Sequence, residues 1–239
     1  MRYVIVNADD FGYTDDINRG ILHAHDKGIV TSASLMVERP AAAEAAAGAH
    51  ERPRLGVGLH VEVSRWRTSR FPRRGTARST DAVGWWAAED LRRQLDRFRL
   101  LVGREPSHLD SHQHRHLAEH VRPAFEEVAA ELDIPLRRLD RRVRFCGDFY
   151  GHDGRGHPEH EAISVDALIR LLENIEDEVT ELCCHPGYAD GLDDWYRTER
   201  EREVRALCDP RVRRAVERTG LRLCSFAEVE LPLAGRGAL

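Results

Sequence analysis

Residues 3–12 read YVIVNADDFG, an apolar run followed by two adjacent carboxylates and a glycine. The first four residues are β-branched or aromatic, which is typical of a buried strand. Two adjacent carboxylates, Asp9 and Asp10, follow that strand, and Gly12 allows the backbone to turn. Successive strand residues face opposite sides of a sheet, so the two carboxylates can share a site only if the chain bends there. Because α/β enzymes place their chemistry where strands end, the sequence predicts a functional site at this point.

Strand-like and helix-like segments alternate along the rest of the chain. Short apolar runs predict strands at residues 3–8, 29–37, 55–63, 107–112, 135–139, 179–184 and 221–225. Apolar residues three and four positions apart predict helices at residues 15–27, 40–50, 85–102, 117–132, 165–176, 197–207 and 210–218. Residues 64–84 and 140–160 are predicted as long irregular segments, which are often functional in a compact domain.

The alternation favours a parallel sheet covered by helices. With 239 residues, 41% of them hydrophobic and 32% charged, the chain fits one globular domain. We therefore expect a single α/β domain over residues 1–239, with an irregular TIM-like (β/α) barrel; a doubly wound open sheet is the alternative. The net charge of −5 offers no basis for nucleic-acid binding.

The cysteines and the first residues bear on the compartment. No CxxC pair is present, and Cys183 and Cys184 lie in an apolar strand-like run, so reduced core thiols are expected. The first strand begins within two residues of Met1 and is too short for a signal peptide or a membrane span. The sequence thus predicts a cytoplasmic protein.

Polar clusters lie at or just after several predicted strands. In a parallel sheet the carboxyl ends of the strands share one edge, so such clusters converge without being close in sequence. The clusters are Asp9 with Asp10, His60, Asp110 with His112, His114 and His116, and His185.

One aspartate and two histidines make a suitable ligand set for a catalytic divalent ion, with positions left open for water. Such an ion makes water a better nucleophile and polarises a carbonyl oxygen. A second carboxylate could act as general base and a further histidine as general acid. The residue types therefore suit hydrolysis of an amide or an ester, while the spacing alone leaves open which residue has which role.

Each cluster also has a plainer interpretation. Asp9 and Asp10 could form a turn and a helix cap, and His60 could be an ordinary hydrogen-bonded strand residue. The tract HLDSHQHRH, residues 108–116, would place its histidines on the face of Asp110 if it were extended, but it could also be a surface tract. A thiol nucleophile at Cys184 is disfavoured because strand neighbours point apart.

Taken together, the motifs resemble the YdjC-like carbohydrate deacetylases. The resemblance spans nearly the whole chain, and the combination of motifs in this order is far more specific than any one alone. The matching segments are VNADDFG (6–12), GIVTSASLMV (28–37), GLHVEV (58–63), HLDSHQHRH (108–116), CHPGY (184–188) and the closing stretch 197–226.

The resemblance implies an irregular TIM-like barrel that removes acetyl groups from N-acetylated sugars with one divalent metal ion, zinc or magnesium. By motif, the ligands would be Asp10, His60 and His112. The substrate would be a carbohydrate of the N-acetylglucosamine type, and family habit suggests a homodimer. A metal-dependent phosphoesterase and a sugar-binding homologue without turnover are the alternatives.

The same resemblance assigns the remaining roles. Asp9 would be the base that takes a proton from water, and His185 the acid that protonates the departing amine. The residues expected to line the substrate pocket are His114, Arg137 and Tyr188.

Overall fold

The structure is a computed structural model that describes residues 1–63, 80–188 and 195–229, with the backbone alone for residues 80–85. In these ranges seven strands form one parallel sheet. They are β1 (Tyr3–Phe11), β2 (Ser32–Leu35), β3 (Gly56–Val61), β4 (Leu109–Ser111), β5 (Arg144–Cys146), β6 (Val179–Cys184) and β7 (Arg222–Leu223). The α-helices there are α1 (Asp15–Lys27), α2 (Ala42–His50), α3 (Thr80–Val102), α4 (Arg122–Leu132), α5 (Val165–Glu173), α6 (Arg197–Leu207) and α7 (Pro210–Thr219).

β1 is the central strand. It is buried from Val4 to Phe11, as expected for a strand covered on both faces. Its hydrogen-bonded neighbours are β2 on one side and β6 on the other, and β7 pairs with its first two residues. The predicted buried strand is confirmed.

The strand order is β4-β3-β2-β1-β6-β5. Strands β1 to β4 lie side by side in chain order, and β6 and then β5 continue the sheet on the other side of β1. In a doubly wound sheet β4 would lie beside β1, whereas here β4 and β5 lie toward opposite edges. Leu136 makes a single parallel bridge to Leu109 on β4. In the described residues no strand pairing joins that bridge to β5, so the sheet does not close into a full barrel. The sheet is therefore a half-barrel, in keeping with the irregular barrel that the sequence predicts.

The chain bends at the end of β1. Asp10 has a φ of 66°, in the left-handed region, and the register with β2 shifts between Ala8 and Phe11. Gly12 follows with a φ of 90°. The bend brings Asp9 and Asp10 to the same cavity, although neighbours in a regular strand face opposite ways. The predicted bend is confirmed, but β1 runs to Phe11 rather than ending at residue 8.

Other boundaries differ from the sequence-based expectations. The segment 135–139 is not a strand but makes only the bridge at Leu136, and helix α4 begins at Arg122 rather than at residue 117. Helix α3 begins at Thr80, inside the segment 64–84 that was expected to be irregular. The rest of that segment, residues 64–79, lies outside the described residues.

Helix α1 fixes the position of the loop that follows β6. Thr14 caps the helix, its hydroxyl accepting a hydrogen bond from the Ile17 N–H at 3.2 Å. A Cβ atom on Gly20 would lie 2.4 Å from the Cα of Gly187, so only glycine permits this close approach. The contact seats the loop that carries His185 against α1.

The helices cover the outside of the half-barrel with apolar faces. In α3, for example, Leu91, Leu95 and Phe98 are buried against the sheet-centred core. Among the described residues, none of the helices is both long enough and apolar enough to cross a bilayer.

Candidate metal centre and active site

A cavity of about 750 Å³ opens at the carboxyl ends of the strands. Several of the clusters predicted from the sequence meet there, although they are far apart along the chain. The lining residues are Asp9, Asp10, Tyr13, His60, His112, Gln113, His114, Arg138, Phe145, Gly147, Phe149, Tyr150, Cys183, His185, Trp195, Tyr196 and Arg200.

Asp10, His60 and His112 converge on one point of the cavity floor. The Oδ1 atom of Asp10 lies 3.7 Å from Nε2 of His60 and 3.2 Å from Nδ1 of His112. The ligand atoms of all three residues lie within 4.8 Å of one another. Metal–ligand bonds of about 2.0–2.2 Å require separations of this size between ligand atoms, so the three side chains could hold one ion.

The hydrogen bonding of these residues supports the same conclusion. The Oδ1 atom of Asp10 and Nε2 of His60 are buried and lack a hydrogen-bond partner, which is costly unless another group binds them. The chemistry of the set, two imidazole nitrogens and one carboxylate oxygen, suits a transition-metal ion. These residues therefore fit a divalent metal site.

A second carboxylate orients His60. The Oδ1 atom of Asp110 lies 2.7 Å from Nδ1 of His60, which leaves Nε2 of the ring directed at Asp10. Burial alone would lower the pKa of His60, but the carboxylates of Asp110, Asp9 and Asp10 raise it to about 9. A metal-ligating histidine commonly bonds a carboxylate through its other nitrogen, and Asp110 supplies that partner here.

The buried guanidinium of Arg137 binds Asp9 from the barrel interior. Its two Nη atoms donate to the two oxygens of Asp9, each at 2.7 Å. Burial would raise the pKa of Asp9, but the Arg137 guanidinium and His60 lower it to about 2. Asp9 is therefore ionised at neutral pH and fixed in orientation, as a proton acceptor needs to be.

His185 lies on the other side of Asp9. Its Nε2 is 3.8 Å from Oδ2 of Asp9, and its Nδ1 is buried without a hydrogen-bond partner. Burial lowers the pKa of the ring, against the opposing effect of Asp9 and Asp10. Its ring contacts Tyr150 and Tyr196, with centroids 5.4 Å and 5.7 Å away. The imidazole is thus within reach of both the carboxylate and the open cavity.

The three expected pocket residues have different positions. His114 lines the cavity, and burial lowers its pKa to about 4. Tyr188 lies outside the cavity, where its ring packs against His23 and Arg19 of α1. The Arg137 side chain is fully buried beneath the floor. The expectation that Arg137 and Tyr188 line the pocket is therefore corrected, because neither side chain reaches its surface.

Arg137 instead joins three strands in the barrel interior. Besides Asp9 on β1, its Nη1 lies 2.8 Å from Asp110 on β4, and its Nε donates to Glu181 on β6 at 2.7 Å. The Arg137 cation therefore contacts three buried carboxylates that would otherwise repel one another more strongly, and His60 is a second positive partner of Asp110.

The histidine tract is not extended, contrary to one expectation from the sequence. Only Leu109–Ser111 is strand, and His112–Leu117 forms a 3-10 turn in which Gln113 and His114 have left-handed φ values of 56° and 52°. His112 and His114 therefore reach the cavity, whereas His116 is buried and its ring nitrogens pair with Ser111 and the Arg137 carbonyl.

Two further groups of potential ligands occur among the described residues, Asp9-Cys183-His185 and Asp9-His60-Asp110. Both depend on Asp9, whose two oxygens already accept from Arg137. Burial raises the pKa of Cys183 well above its usual value, which disfavours the thiolate that a metal needs. The group Asp10-His60-His112 does not depend on Asp9 or on a thiolate, and it contains two buried ligand atoms without hydrogen-bond partners, so we treat it as the candidate metal centre.

Sequence reasoning missed the contribution of α6. Arg200 on this helix donates to Oδ2 of Asp10 at 2.7 Å, and Glu203 accepts from the backbone N–H of His185 at 2.5 Å. Both are buried, although the segment RTEREREVRAL reads as a solvent-exposed helix. The available signal was their spacing, since Tyr196, Arg200 and Glu203 lie four and three positions apart and share one helix face.

An aromatic wall formed by Tyr150, Trp195 and Tyr196 borders the cavity beside His185. The Tyr150 and Tyr196 rings are stacked, with centroids 4.7 Å apart and an angle of 11° between their planes. Trp195 is 63% exposed at the rim. Exposed aromatic faces next to polar groups are typical of sites that bind partly apolar rings.

Comparison with known proteins identifies relatives of this chain. Residues 3–218 match the family model described as YdjC-like protein. A carbohydrate deacetylase from Geobacillus stearothermophilus is 36% identical over 95% of this chain and 98% of its own length. A chitooligosaccharide deacetylase from Salmonella schwarzengrund is 30% identical over 95% of this chain and 99% of its own length.

Solved structures show the same fold. A putative cellobiose-phosphate cleavage protein from Enterococcus faecalis superposes with a TM-score of 0.74 at 25% identity, covering 94% of this chain and 97% of the other. A family 4 carbohydrate esterase from Streptomyces lividans shares the fold alone, with a TM-score of 0.52 at 14% identity and coverage of 94% and 91%. The match over most of the chain and the identity to full-length relatives establish that this protein belongs to the YdjC-like family.

Proposed function

We propose that the protein is a metal-dependent hydrolase that removes the acetyl group from an N-acetylated sugar. The observation that carries the proposal is the position of Asp9 and His185 beside the cluster Asp10-His60-His112 in one cavity. A nucleophile source, a base and an acid are the parts that amide hydrolysis needs. The names of the full-length relatives, carbohydrate and chitooligosaccharide deacetylase, support the substrate class.

A divalent ion held by Asp10, His60 and His112 would lower the pKa of water and polarise the acetamide carbonyl. Asp9 accepts a proton from the attacking water while the water oxygen forms a bond to the carbonyl carbon. When the C–N bond breaks, His185 donates a proton to the nitrogen, so that acetate and a free amine leave. Nε2 of His185 lies 3.8 Å from Oδ2 of Asp9, a separation that one bridging water could span to carry the proton back to the imidazole.

The donor set favours zinc or a similar transition ion over magnesium, since two of the three ligands are imidazoles. The identity of the ion is part of the proposal, as are the individual roles. We also propose one catalytic domain over the whole chain and, because all five cysteines are free thiols, a reducing compartment such as the cytoplasm.

The cavity suits a sugar better than a small acyl compound. Its volume of about 750 Å³ lies within the usual range for small-molecule sites, and the aromatic wall offers ring faces beside the proposed acid. The segment 140–160 supplies Phe145, Gly147 and Tyr150 to the lining. We propose that this segment helps to select the sugar.

The test is acetate release from a panel of N-acetylated compounds by the purified chain. The panel contains N-acetylglucosamine, its β-1,4-linked dimer and trimer, and an alkyl N-acetylglucosaminide, each with Zn²⁺, Mg²⁺ or EDTA. Metal-dependent, EDTA-sensitive release supports the proposal. No release from any member while one metal ion is bound per chain contradicts it and favours a binding role. Two tightly bound ions together with phosphate-ester hydrolysis would favour the phosphoesterase alternative.

A further inference from the structure

Glu203 is a buried carboxyl group to which the proposed mechanism gives no role. It lies on α6 with no exposed surface. An unpaired carboxyl in such a place is costly, so the partners of each oxygen indicate what the group does.

Both oxygens of Glu203 accept hydrogen bonds from cavity segments. Oε2 accepts from the backbone N–H of His185 at 2.5 Å, and Oε1 accepts from the hydroxyl of Tyr196 at 2.6 Å. The Tyr196 oxygen in turn accepts from the N–H of Gly151 at 2.6 Å. One carboxyl group therefore connects three separate segments, namely the end of β6, the start of α6 and the loop that carries Tyr150.

These contacts determine where the His185 ring can lie. The imidazole has no hydrogen-bond partner at Nδ1, so its side chain is held by packing against Tyr150 and Tyr196. Glu203 fixes the backbone of His185 and the hydroxyl of the tyrosine against which that ring packs. A shift of about 1 Å in a proton donor can lower a rate by about a hundredfold, so the placement matters for catalysis.

We infer that Glu203 is a positioning residue that fixes His185 and the aromatic wall relative to each other, so that the imidazole can protonate the leaving nitrogen. The inference rests on the proposed deacetylase function. Glu203 touches neither the proposed ligand atoms nor the cavity surface, so it acts through His185 and Tyr196.

The test compares two substrates that differ in their need for a proton donor. An N-acetyl sugar must have its leaving nitrogen protonated, whereas p-nitrophenyl acetate releases a stable phenolate without that help. In Glu203→Gln one acceptor oxygen is replaced by an NH₂ group, which can only donate. The side chain can then no longer accept hydrogen bonds from both the His185 N–H and the Tyr196 hydroxyl. We expect kcat for the sugar to fall about tenfold or more, with KM, metal content and metal-dependent ester hydrolysis close to wild type.

Two other variants complete the experiment. Tyr196→Phe keeps the ring but removes the hydroxyl, and it should lower the sugar-to-ester ratio in the same direction by a smaller factor. This variant also tests the inference if Glu203→Gln does not fold. Glu201→Gln is the control, because Glu201 lies on the same helix and pairs with Arg205 on its exposed face. It should leave the ratio unchanged.

The outcomes are distinct. An equal loss on both substrates, or no loss on either, overturns the positioning role. A wild-type protein that releases no acetate from any N-acetyl sugar overturns the proposed function itself, together with the acid role on which this inference depends.

Discussion

Strand β1 and helix α6 both deliver charged side chains to the cavity, but their sequences have little in common. β1 is an apolar strand that ends in Asp9 and Asp10, the groups that we propose to react. α6 is highly charged, and its buried Arg200 and Glu203 contact Asp10 and His185. Reactive groups at a strand end are thus evident in a sequence, whereas the groups that hold them can lie on a helix that reads as solvent-exposed.

The two adjacent carboxylates of β1 differ in which arginine balances their charge. Asp9 is paired with Arg137 from the barrel interior, whereas Asp10 is paired with Arg200 from outside the sheet. Burial would raise the pKa of Asp10, but Arg200 and His112 lower it well below the usual value. Each carboxylate therefore keeps its charge through an arginine from a different part of the chain.

The largest expected effect comes from the same substitution at the two adjacent aspartates of β1. Asp9→Asn removes the proposed base, so turnover should fall by about 10²–10⁴-fold while the metal stays bound. Asp10→Asn removes a proposed ligand, so both metal binding and turnover should be lost. Acetate release and metal content per chain measure the two effects. Full activity in Asp9→Asn, or unchanged metal affinity in Asp10→Asn, would contradict the assigned roles.

Next in size is the loss of stability when Arg137 is replaced by Met. The substitution leaves Asp9, Asp110 and Glu181 buried without their shared cation, so the free energy of unfolding should fall by about 3–5 kcal/mol. Urea denaturation of the metal-free protein measures the change. Arg142→Met is the control, since Arg142 is partly exposed and pairs only locally with Asp140 among the described residues. Equal effects of the two substitutions would show that the interior network contributes little.

Arg200→Gln tests whether α6 supports the metal site. Removing a partner of a ligating carboxylate typically costs about 10–100-fold in metal affinity or activity, and we expect a loss of that size. Arg205→Gln is the matched control on the exposed face of the helix, where Arg205 pairs with Glu201 at 3.1 Å. Its effect on stability should stay within about 0.5 kcal/mol. Titration with Zn²⁺ distinguishes the variants, and equal affinities would remove α6 from the description of the site.

Glu203 on α6 should also change how stability depends on pH. Burial raises the pKa of Glu203 from 4.5 to about 8, although Tyr196, the His185 N–H and Arg200 oppose it and Asp9 adds to it. Between these values the folded chain binds a proton that the unfolded chain does not, so this group makes stability fall as pH rises from about 4.5 to 8. Glu203→Gln should flatten that fall by up to about 1.4 kcal/mol per pH unit. Urea unfolding at pH 5, 6, 7 and 8 measures it, and parallel curves would contradict the shift.

Much of the fold follows from local patterns in the sequence. The β-branched start of β1 and the alternation of strands and helices predict a parallel α/β sheet, and the structure confirms it as a half-barrel. The convergence of the polar clusters follows from the same geometry, since parallel strands end at one edge. The choice of Asp10, His60 and His112 as ligands rests instead on the family resemblance, and the structure places their ligand atoms close together. What could be predicted is thus what a regular parallel sheet imposes.

The remainder depends on contacts that no local pattern specifies. The histidine tract turns through two left-handed residues, Gln113 and His114, where no glycine marks the change. The segment carrying Arg137 is predicted as a strand but makes only a single bridge, at Leu136, and the Arg137 side chain pairs with carboxylates that are distant in sequence. Burial of Glu203 depends on which other segments of the protein pack against α6, and helix periodicity alone does not predict them.

The left-handed backbone at Asp10 has a consequence for protein design. The two carboxylates share a cavity because of that residue and the register shift between Ala8 and Phe11. The backbone conformation, rather than the side-chain rotamer, therefore determines the direction of each carboxylate. Grafting only the five proposed site residues onto a regular parallel barrel would send Asp9 and Asp10 to opposite faces. A working transplant would have to copy the irregular strand end first and the side chains second.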